Sequence, residues 1–346
     1  MTSSIVATNA ASSGIHLDRK TLKSLVQRSD VPGLKWLGLW ILCLIISGYL
    51  LHLSLSTWWV VPAIFLYGSV LTLSGYALSH ECAHGTAFRT RWLNEICFWV
   101  SSFIYFEEPY HRRYTHTQHH TWTWHPEKDM QMPLVNIPMK FRGWLIDLSG
   151  IAYYFFEIKI FTLHSWGKFS DFLKKIVPQS ELVKLTWSAR IYLTGYIAVA
   201  MLILAGHTWL LIYLILPRLA GAPVMLMFGL IQHAEMAENS DSIVNSTRSF
   251  TTNRPTRFFY MNMNFHIEHH LYPQVPFFSL PSLGAAISDQ LPPPDPGFLR
   301  TNYEVMLVAI RRSMGKSTKA QSIRQAPDLM NESGSEAISA AIDTYH

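Results

Sequence analysis

The chain has 346 residues, of which 49% are hydrophobic and only 15% are charged. A soluble domain of this size usually carries about 25% charged residues, so the composition predicts membrane-spanning segments. The net charge of +5 is spread over polar segments without a dense basic stripe, which argues against nucleic-acid binding. Three cysteines are too few for the disulfide framework of a small secreted protein.

Four apolar segments predict two transmembrane helical hairpins. Residues 36–55 and 58–78 are joined by a short link and form the first hairpin. Residues 191–205 and 208–231 form the second, and Pro217 and Pro223 are expected to kink or break its second arm. Residues 1–35 are then an N-terminal cytoplasmic segment, and residues 36–312 form one membrane domain. Residues 313–346, rich in Ser, Ala and Gln, are expected to be a disordered tail.

Two further apolar stretches are not expected to cross the membrane. Residues 95–105 are too short to span and predict a re-entrant or interfacial helix. Residues 144–163 contain three charged side chains and precede a basic segment, which favours a helix lying in the membrane plane. The basic residues that flank the first hairpin place both of its ends in the cytoplasm. We therefore expect both ends of the first hairpin on the cytoplasmic side of the membrane, and we expect that membrane to be a bacterial inner membrane.

Three groups of histidines stand out in this apolar chain. They are His80 and His84; His116, His119 and His120; and His266, His269 and His270. Their i, i+3 and i+4 spacings share one helical face, so each group is expected to direct its imidazoles at a single point. Neutral imidazole suits iron, copper and zinc, and eight such ligands exceed what one zinc ion needs. The pattern therefore predicts more than one metal ion, and an all-nitrogen site favours redox iron over structural zinc.

The order and context of these groups resemble the integral-membrane fatty acid desaturase and hydroxylase superfamily, with its HxxxH, HxxHH and HxxHH boxes. The resemblance covers about residues 36–291. It implies a non-haem di-iron centre of two Fe ions that uses O2 and two electrons. Together with the predicted spans, it gives an all-α membrane protein whose two transmembrane hairpins carry a cytoplasmic helical cap holding the di-iron site.

The resemblance also implies a ninth ligand, His233, immediately after the last predicted span; the alternative is a plain interfacial histidine. His111 and His125 flank the second box and are further ligand candidates after His233; the alternative for both is hydrogen bonding around the ligands. Five polar residues can orient ligand imidazoles by accepting the distal N–H, although a solvated or capping role is the alternative for each. They are Glu81, Asp129, Glu235, Asn264 and Glu268.

The activity expected from this resemblance is O2-dependent desaturation of an aliphatic chain, with the eight box histidines as the catalytic group. A second hydrogen abstraction leaves a C=C bond, whereas hydroxyl rebound gives an alcohol. The histidines do not decide between a fatty acyl or lipid desaturase and a hydroxylase or ketolase of an alkane, a carotenoid or a small amino-acid-derived metabolite. A non-enzymatic metal-binding membrane protein is disfavoured, because its ligands would lie within the spans.

The chain contains no haem, flavin or nicotinamide motif and no CxxC pair. The electrons are therefore expected to come from a separate ferredoxin-like donor with its reductase, which the basic cytoplasmic face suits. The other expected partners are the lipid bilayer, O2 and the lipid or small aliphatic substrate.

Overall fold

The computed structural model describes residues 9–10, 12–131 and 139–316. These ranges are mainly helical and contain no β-strand, which confirms the all-α prediction for the described part of the chain. Most of the predicted disordered tail, from residue 317 onward, lies outside the described residues, as do residues 1–8 of the predicted N-terminal segment. The predicted domain limits at residues 35 and 312 stay predictions.

The main helices follow one another along the chain with short connections. In chain order they are α1 (Arg19–Leu25), α2 (Asp30–Ser54), α3 (Val60–His84), α4 (Arg91–Tyr105), α5 (Pro109–Thr121), α6 (Phe141–Leu148), α7 (Ile151–Ser165), α8 (Asp171–Ile176), α9 (Leu182–Leu204), α10 (Leu216–Leu230), α11 (Ile243–Ser246), α12 (Arg254–Phe259), α13 (His266–Leu271), α14 (Leu280–Ile287) and α15 (Phe298–Ser313). A five-residue π-helix, Leu211–Ile215, precedes α10.

Four helical segments are long and apolar enough to cross a membrane, which confirms the predicted number. They are Asp30–Ser54, Val60–His84, Gln179–Leu204 and Leu211–Leu230. The third begins well before the predicted residue 191. Two charged side chains in the turns before residue 191 have hydrogen-bond partners. Lys184 pairs with Glu181, and Arg190 donates to the Ser165 carbonyl.

The predicted irregularity in the fourth segment lies at its π-helix, just before Pro217. The Leu216 N–H bonds to the carbonyl of Leu211, five residues back. Proline lacks an N–H for the usual bond to the carbonyl four residues earlier, and a π-turn before it is one way to accommodate that loss. The helix continues through Pro223 without a break.

The chain divides into two compact units. Unit I comprises residues 30–118 and 145–227 and holds nearly all of the four apolar segments; unit II comprises residues 1–29, 119–144 and 228–346. In unit I, the Trp40 indole donates to the Val70 carbonyl at 3.0 Å, which joins α2 to α3. A Cβ added at Gly221 would stand 2.1 Å from the Gly68 carbonyl oxygen, so α3 and α10 pack with their backbones nearly touching.

The two stretches that were not expected to span are both helical and short. Residues 95–105 lie in the 15-residue α4. Residues 144–163 were expected to form a single in-plane helix, but the structure divides them between α6 and α7. The break is at Gly150, which has φ +73° in the left-handed region that glycine adopts without steric cost. Neither helix is long enough to cross a bilayer.

Unit II is built around an apolar cluster that supports the third histidine box. Ile267 and Leu271 lie one turn apart on α13 and pack into this cluster, while the box histidines occupy the other faces of the helix. Gly284 on α14 lets the two helices approach closely, since an added Cβ would stand 3.0 Å from the Phe265 ring and 3.1 Å from Glu268 Oε1. The box is thus held on a packed scaffold.

Candidate metal centre

The first histidine box ends helix α3 and contributes to a cluster within unit I. The helix stops at Gly85, whose φ of +67° closes a left-handed cap with the Thr86 N–H bonded to the Glu81 carbonyl. His84 Nε2 lies 3.0 Å from His116 Nε2, and His116 Nε2 lies 3.2 Å from His80 Nε2. Three imidazoles from α3 and α5 therefore converge at their Nε2 atoms.

A second cluster lies wholly within unit II and combines four buried histidines. They are His119, His233, His266 and His270, whose candidate ligand atoms all lie within 4.8 Å of one another. His266 Nε2 stands 3.1 Å from both His233 Nε2 and His270 Nε2. Each ring is at most 5% exposed. The structure thus places the predicted ninth histidine, His233, among box histidines.

The hydrogen bonds at the outer edge of this cluster fix the rings in a metal-binding orientation. His119 Nδ1 lies 2.8 Å from the Asp129 carboxylate, and His233 Nδ1 lies 2.9 Å from the Ser246 carbonyl oxygen. A carbonyl and an ionised carboxylate only accept hydrogen bonds, so Nδ1 carries the proton in both rings and Nε2 presents its lone pair inward. Inward lone pairs at 3 Å repel one another unless a cation lies between them. This donor set fits a transition-metal ion.

Several neighbours of the cluster carry no signal in the sequence. The Thr123 hydroxyl lies 3.0 Å from His270 Nδ1, and the Gln232 amide lies 3.4 Å from His266 Nδ1. The Trp124 ring stacks on His233 with centroids 5.5 Å apart. Asn9 donates to the backbone carbonyls of His120 and His270 at 2.8 and 3.3 Å, which ties the second and third boxes together.

The expectation that each box directs its histidines at one point is wrong for the second and third boxes. His119 joins the four-histidine cluster without His120, and His266 and His270 join it without His269. His120 and His269 lie side by side within unit II, with ring centroids 4.8 Å apart. Neighbouring helical residues are separated by about 100° around the axis, so the i+3 and i+4 positions of one box face two different places.

The predicted orienting residues fall into two groups. Asp129 bonds to His119 as expected. Glu235 instead forms a bidentate pair with Arg312, at 2.8 and 2.7 Å. Glu268 accepts from the Ser249 hydroxyl at 2.5 Å, and Glu81 accepts from Thr86 at 2.8 Å. Asn264 donates to the Phe250 carbonyl and so shapes the loop that leads into α13.

The two histidines that flank the second box have different surroundings. His125 Nε2 lies 3.3 Å from the Ser240 carbonyl in unit II. His111 is buried in unit I against His164, with ring centroids 5.3 Å apart, and neither of its ring nitrogens has a hydrogen-bond partner. His111 therefore belongs to a different polar group from the clusters described above.

Burial lowers the pKa of His233, His269 and His270 and so keeps these three imidazoles neutral and available as ligands. Desolvation, followed by the charge of His119, lowers the pKa of His233 to about 3, and the same two causes lower the pKa of His269 to about 3. Burial alone would raise the pKa of Asp129, but its interaction with His119 and backbone N–H bonds hold that pKa below its usual value. At neutral pH the His233 and His270 rings of the cluster are thus neutral, beside one carboxylate.

Comparison with known proteins agrees with this arrangement. A model of the family described as fatty acid desaturase matches residues 56–301, which include both clusters. The chain belongs to the fatty acid desaturase family. A relative named sn-1 oleoyl-lipid 12-desaturase, from Arthrospira platensis, is 23% identical over 298 residues. The match covers 79% of this chain and 77% of that protein.

Membership in the fatty acid desaturase family makes the chain an oxidoreductase of the desaturase type. Combined with four apolar helices, it makes the chain a multi-pass membrane protein. The histidine clusters fit a metal site.

Proposed function

We propose that this protein is an O2-dependent membrane desaturase that introduces a C=C bond into a fatty acyl or lipid chain. The observation that supports it most strongly is the four-histidine cluster of unit II. Its rings are buried, their Nε2 atoms converge, and at least two of their Nδ1 protons are held by acceptors. Preorganised neutral ligands of this kind suit a redox metal.

The metal proposed is iron, with two ions per chain. When bound, the iron pair supplies the O2 activation that attack on an unactivated C–H bond needs. The protein's own groups orient the site: Asp129 and the Ser246 carbonyl hold the Nδ1 protons, and Trp124 covers one face of His233. The proposed ligands are nine histidines. Eight of them belong to the three boxes and are the proposed catalytic group, and the ninth is His233. The nine are His80, His84, His116, His119, His120, His233, His266, His269 and His270.

We propose that the catalytic side faces the cytoplasm of a bacterial inner membrane, with the four spans arranged as two hairpins that carry a cytoplasmic helical cap. Basic residues lie before the first span and after the second, which is the distribution that the positive-inside rule associates with the cytoplasm. The electron donor proposed is a ferredoxin-like protein with its reductase, to which these basic segments are complementary. The basic residues are Arg19, Lys20, Lys23, Arg28, Arg89 and Arg91.

Cysteine labelling in whole cells tests this topology. In a background without Cys43, Cys82 and Cys97, single cysteines replace Arg89 and Glu238, both exposed. Both should resist a membrane-impermeant maleimide until the cells are opened. A cysteine at the exposed Lys174 should behave in the same way, because α6 and α7 are too short to cross. Labelling of any of the three from outside would contradict the proposed orientation.

The reaction itself is tested with purified protein, ferredoxin, its reductase, NADPH and defined acyl lipids under labelled O2. The expected product is two mass units lighter than the substrate and carries no oxygen label. A product that carries the label would make the protein a hydroxylase with the same metal site. Metal binding without O2 consumption on any acyl lipid, alkane or carotenoid would favour a non-enzymatic role and contradict the proposal.

A further inference from the structure

A second buried polar group lies in unit I, separate from the converging histidines. It is formed where the start of α5 meets α7, and every member is at most 5% exposed. Its members are Glu107, Glu108, His111, Arg112, Glu157 and His164. Burying one ionised carboxylate without a partner is costly, so a group with three of them requires compensating positive charge.

Two of the three carboxylates have partners that account for their charge. Glu108 accepts from the backbone N–H groups of Tyr110 and His111 at 2.9 and 2.8 Å, which caps the N-terminus of α5. It also accepts from the Ser188 hydroxyl and lies 3.7 Å from His164. Glu107 lies 3.5 Å from the Arg112 guanidinium through Oε1, while its Oε2 has no hydrogen-bond partner.

Glu157 is the carboxylate that this arrangement leaves uncompensated. It accepts from the backbone N–H of Glu108, but its Oε2 is buried and has no hydrogen-bond partner. The charged groups that act on it are Glu107, Glu108 and Arg112, and Tyr153 on its own helix and Tyr196 on α9 also face it. Two carboxylates and one guanidinium leave a net negative environment, which favours a neutral Glu157.

The neighbouring His111 imidazole does not supply the missing charge. Both ring nitrogens of His111 are buried without a partner, and burial together with His164 and Arg112 lowers the pKa of His111 to about 3. Burial, followed by the charges of Glu107 and Glu108, raises the pKa of Glu157 well above its usual value, and burial raises that of Glu107 to about 7. Two adjacent carboxyls that ionise in this way titrate as a pair.

Arg112 connects this pair to the converging histidines of unit I. Its Nη1 faces Glu107, and its Nη2 lies 3.4 Å from His80 Nδ1. The Arg112 guanidinium stays protonated and therefore does not carry the proton itself. Its role is to hold the Glu107 carboxyl in place on the side that faces His80. A proton that leaves Glu157 therefore has a carboxylate acceptor in Glu107, whose partner Arg112 contacts His80.

We propose that Glu157 is a buried proton store, which passes its proton by way of Glu107 toward the His80 end of the histidine cluster. The use of this proton rests on the proposed function. Desaturation removes two hydrogens from the substrate and reduces O2 to two waters, so each turnover takes up two electrons from the ferredoxin-like donor and two protons from solvent. A store in a dry site supplies such protons without opening the site to water.

The store is tested first by infrared spectroscopy of the resting protein, which needs no turnover. At neutral pH the wild type should show the carbonyl band of a buried protonated carboxyl. Glu157→Gln should lose the contribution of Glu157 to that band, Glu157→Asp should retain it at a shifted frequency, and Glu304→Gln, at a partly exposed residue of α15, should leave the band unchanged. Absence of the band in the wild type, or an unchanged band in Glu157→Gln, would overturn the store. So would an additional cation bound to the wild type and lost from Glu157→Gln.

Delivery is tested by the ratio of product formed to O2 consumed. Glu157→Gln should lower this ratio by at least about tenfold, with an unchanged metal content, and Glu157→Asp should restore much of it. If the ratio of product to O2 in Glu157→Gln equals that of the wild type, the delivery step is overturned, whatever happens to the infrared band. If the wild type oxidises no substrate while the infrared band behaves as described, the proposed function fails and the proton store stands.

Discussion

The histidine clusters of units I and II differ in what holds their outer nitrogens. In unit II, Asp129 and the Ser246 carbonyl accept from His119 and His233, so both rings are fixed with Nε2 directed inward. In unit I, the Arg112 guanidinium lies against His80 Nδ1, and a guanidinium can only donate. The unit II cluster is therefore preorganised by acceptors, whereas the unit I cluster is set beside a fixed cation and the acidic pair behind it.

The largest effect should come from removing a ligand in either cluster. We expect His266→Ala in unit II and His84→Ala in unit I each to abolish desaturation, because each ring contributes a converging Nε2. The measurement is product formation together with bound iron per chain. His207→Ala, at an exposed histidine, is the control and should retain both. Full activity in either ligand variant would show that its cluster does not hold a catalytic metal.

A smaller effect should follow from weakening an outer acceptor of unit II. Asp129→Asn keeps the shape but replaces an ionised acceptor with an amide that can also donate, so His119 loses its fixed tautomer. We expect iron affinity to fall on the order of 10- to 100-fold, measured by competition with a chelator. The matched control is Glu127→Gln, at an exposed residue two positions away. An affinity equal to that of the control would mean that Asp129 does not orient the ring.

The backbone contact in unit I should affect stability and not metal affinity. Gly221→Ala places a Cβ where it would stand 2.1 Å from a carbonyl oxygen, so α3 and α10 must separate. We expect a loss of roughly 1–3 kcal/mol in the free energy of unfolding, measured by denaturation in detergent. Gly38→Ala, where an added Cβ meets nothing within 4 Å, should cost nothing comparable. Equal stability of the two variants would contradict the close approach.

A further prediction concerns pH and Glu107, one of the two buried carboxyls, Glu107 and Glu157, that titrate together in unit I. Burial raises the pKa of Glu107 from 4.5 to about 7, so the folded state holds this proton more tightly than the unfolded state. Its contribution to stability is complete below about pH 4.5 and is lost as pH rises toward 7. As pH rises from about 4.5 to 7, the free energy of unfolding of the wild type should therefore fall relative to that of Glu107→Gln. A difference that does not change with pH would mean that Glu107 titrates normally.

The sequence was sufficient to predict the parts of this protein that depend on local pattern. Hydropathy predicted four membrane-crossing segments, and the spacing of the three boxes predicted their histidines on helices. The sequence did not predict that the histidines of one box face different places. His119 and His120 are adjacent in sequence but point about 100° apart around the helix axis. The break at Gly150 was missed because a single glycine within an apolar run is compatible with one continuous helix.

Contacts between distant segments could not be predicted in the same way. The Ser246 carbonyl that holds His233 is a backbone group and carries no residue signature. The Asn9 side chain reaches His270 across most of the chain length. The acidic group of unit I joins Glu107 and Glu108 to Glu157, which appeared in the sequence only as a charge that disfavoured a membrane span.

The di-iron assignment is tested most directly by the iron content of the purified protein measured together with its activity. Elemental analysis of the active wild type should give two irons per chain, and His266→Ala should lose iron together with activity. One metal ion per chain, or zinc as the main metal at full activity, would contradict the assignment of the nine histidines to a di-iron centre.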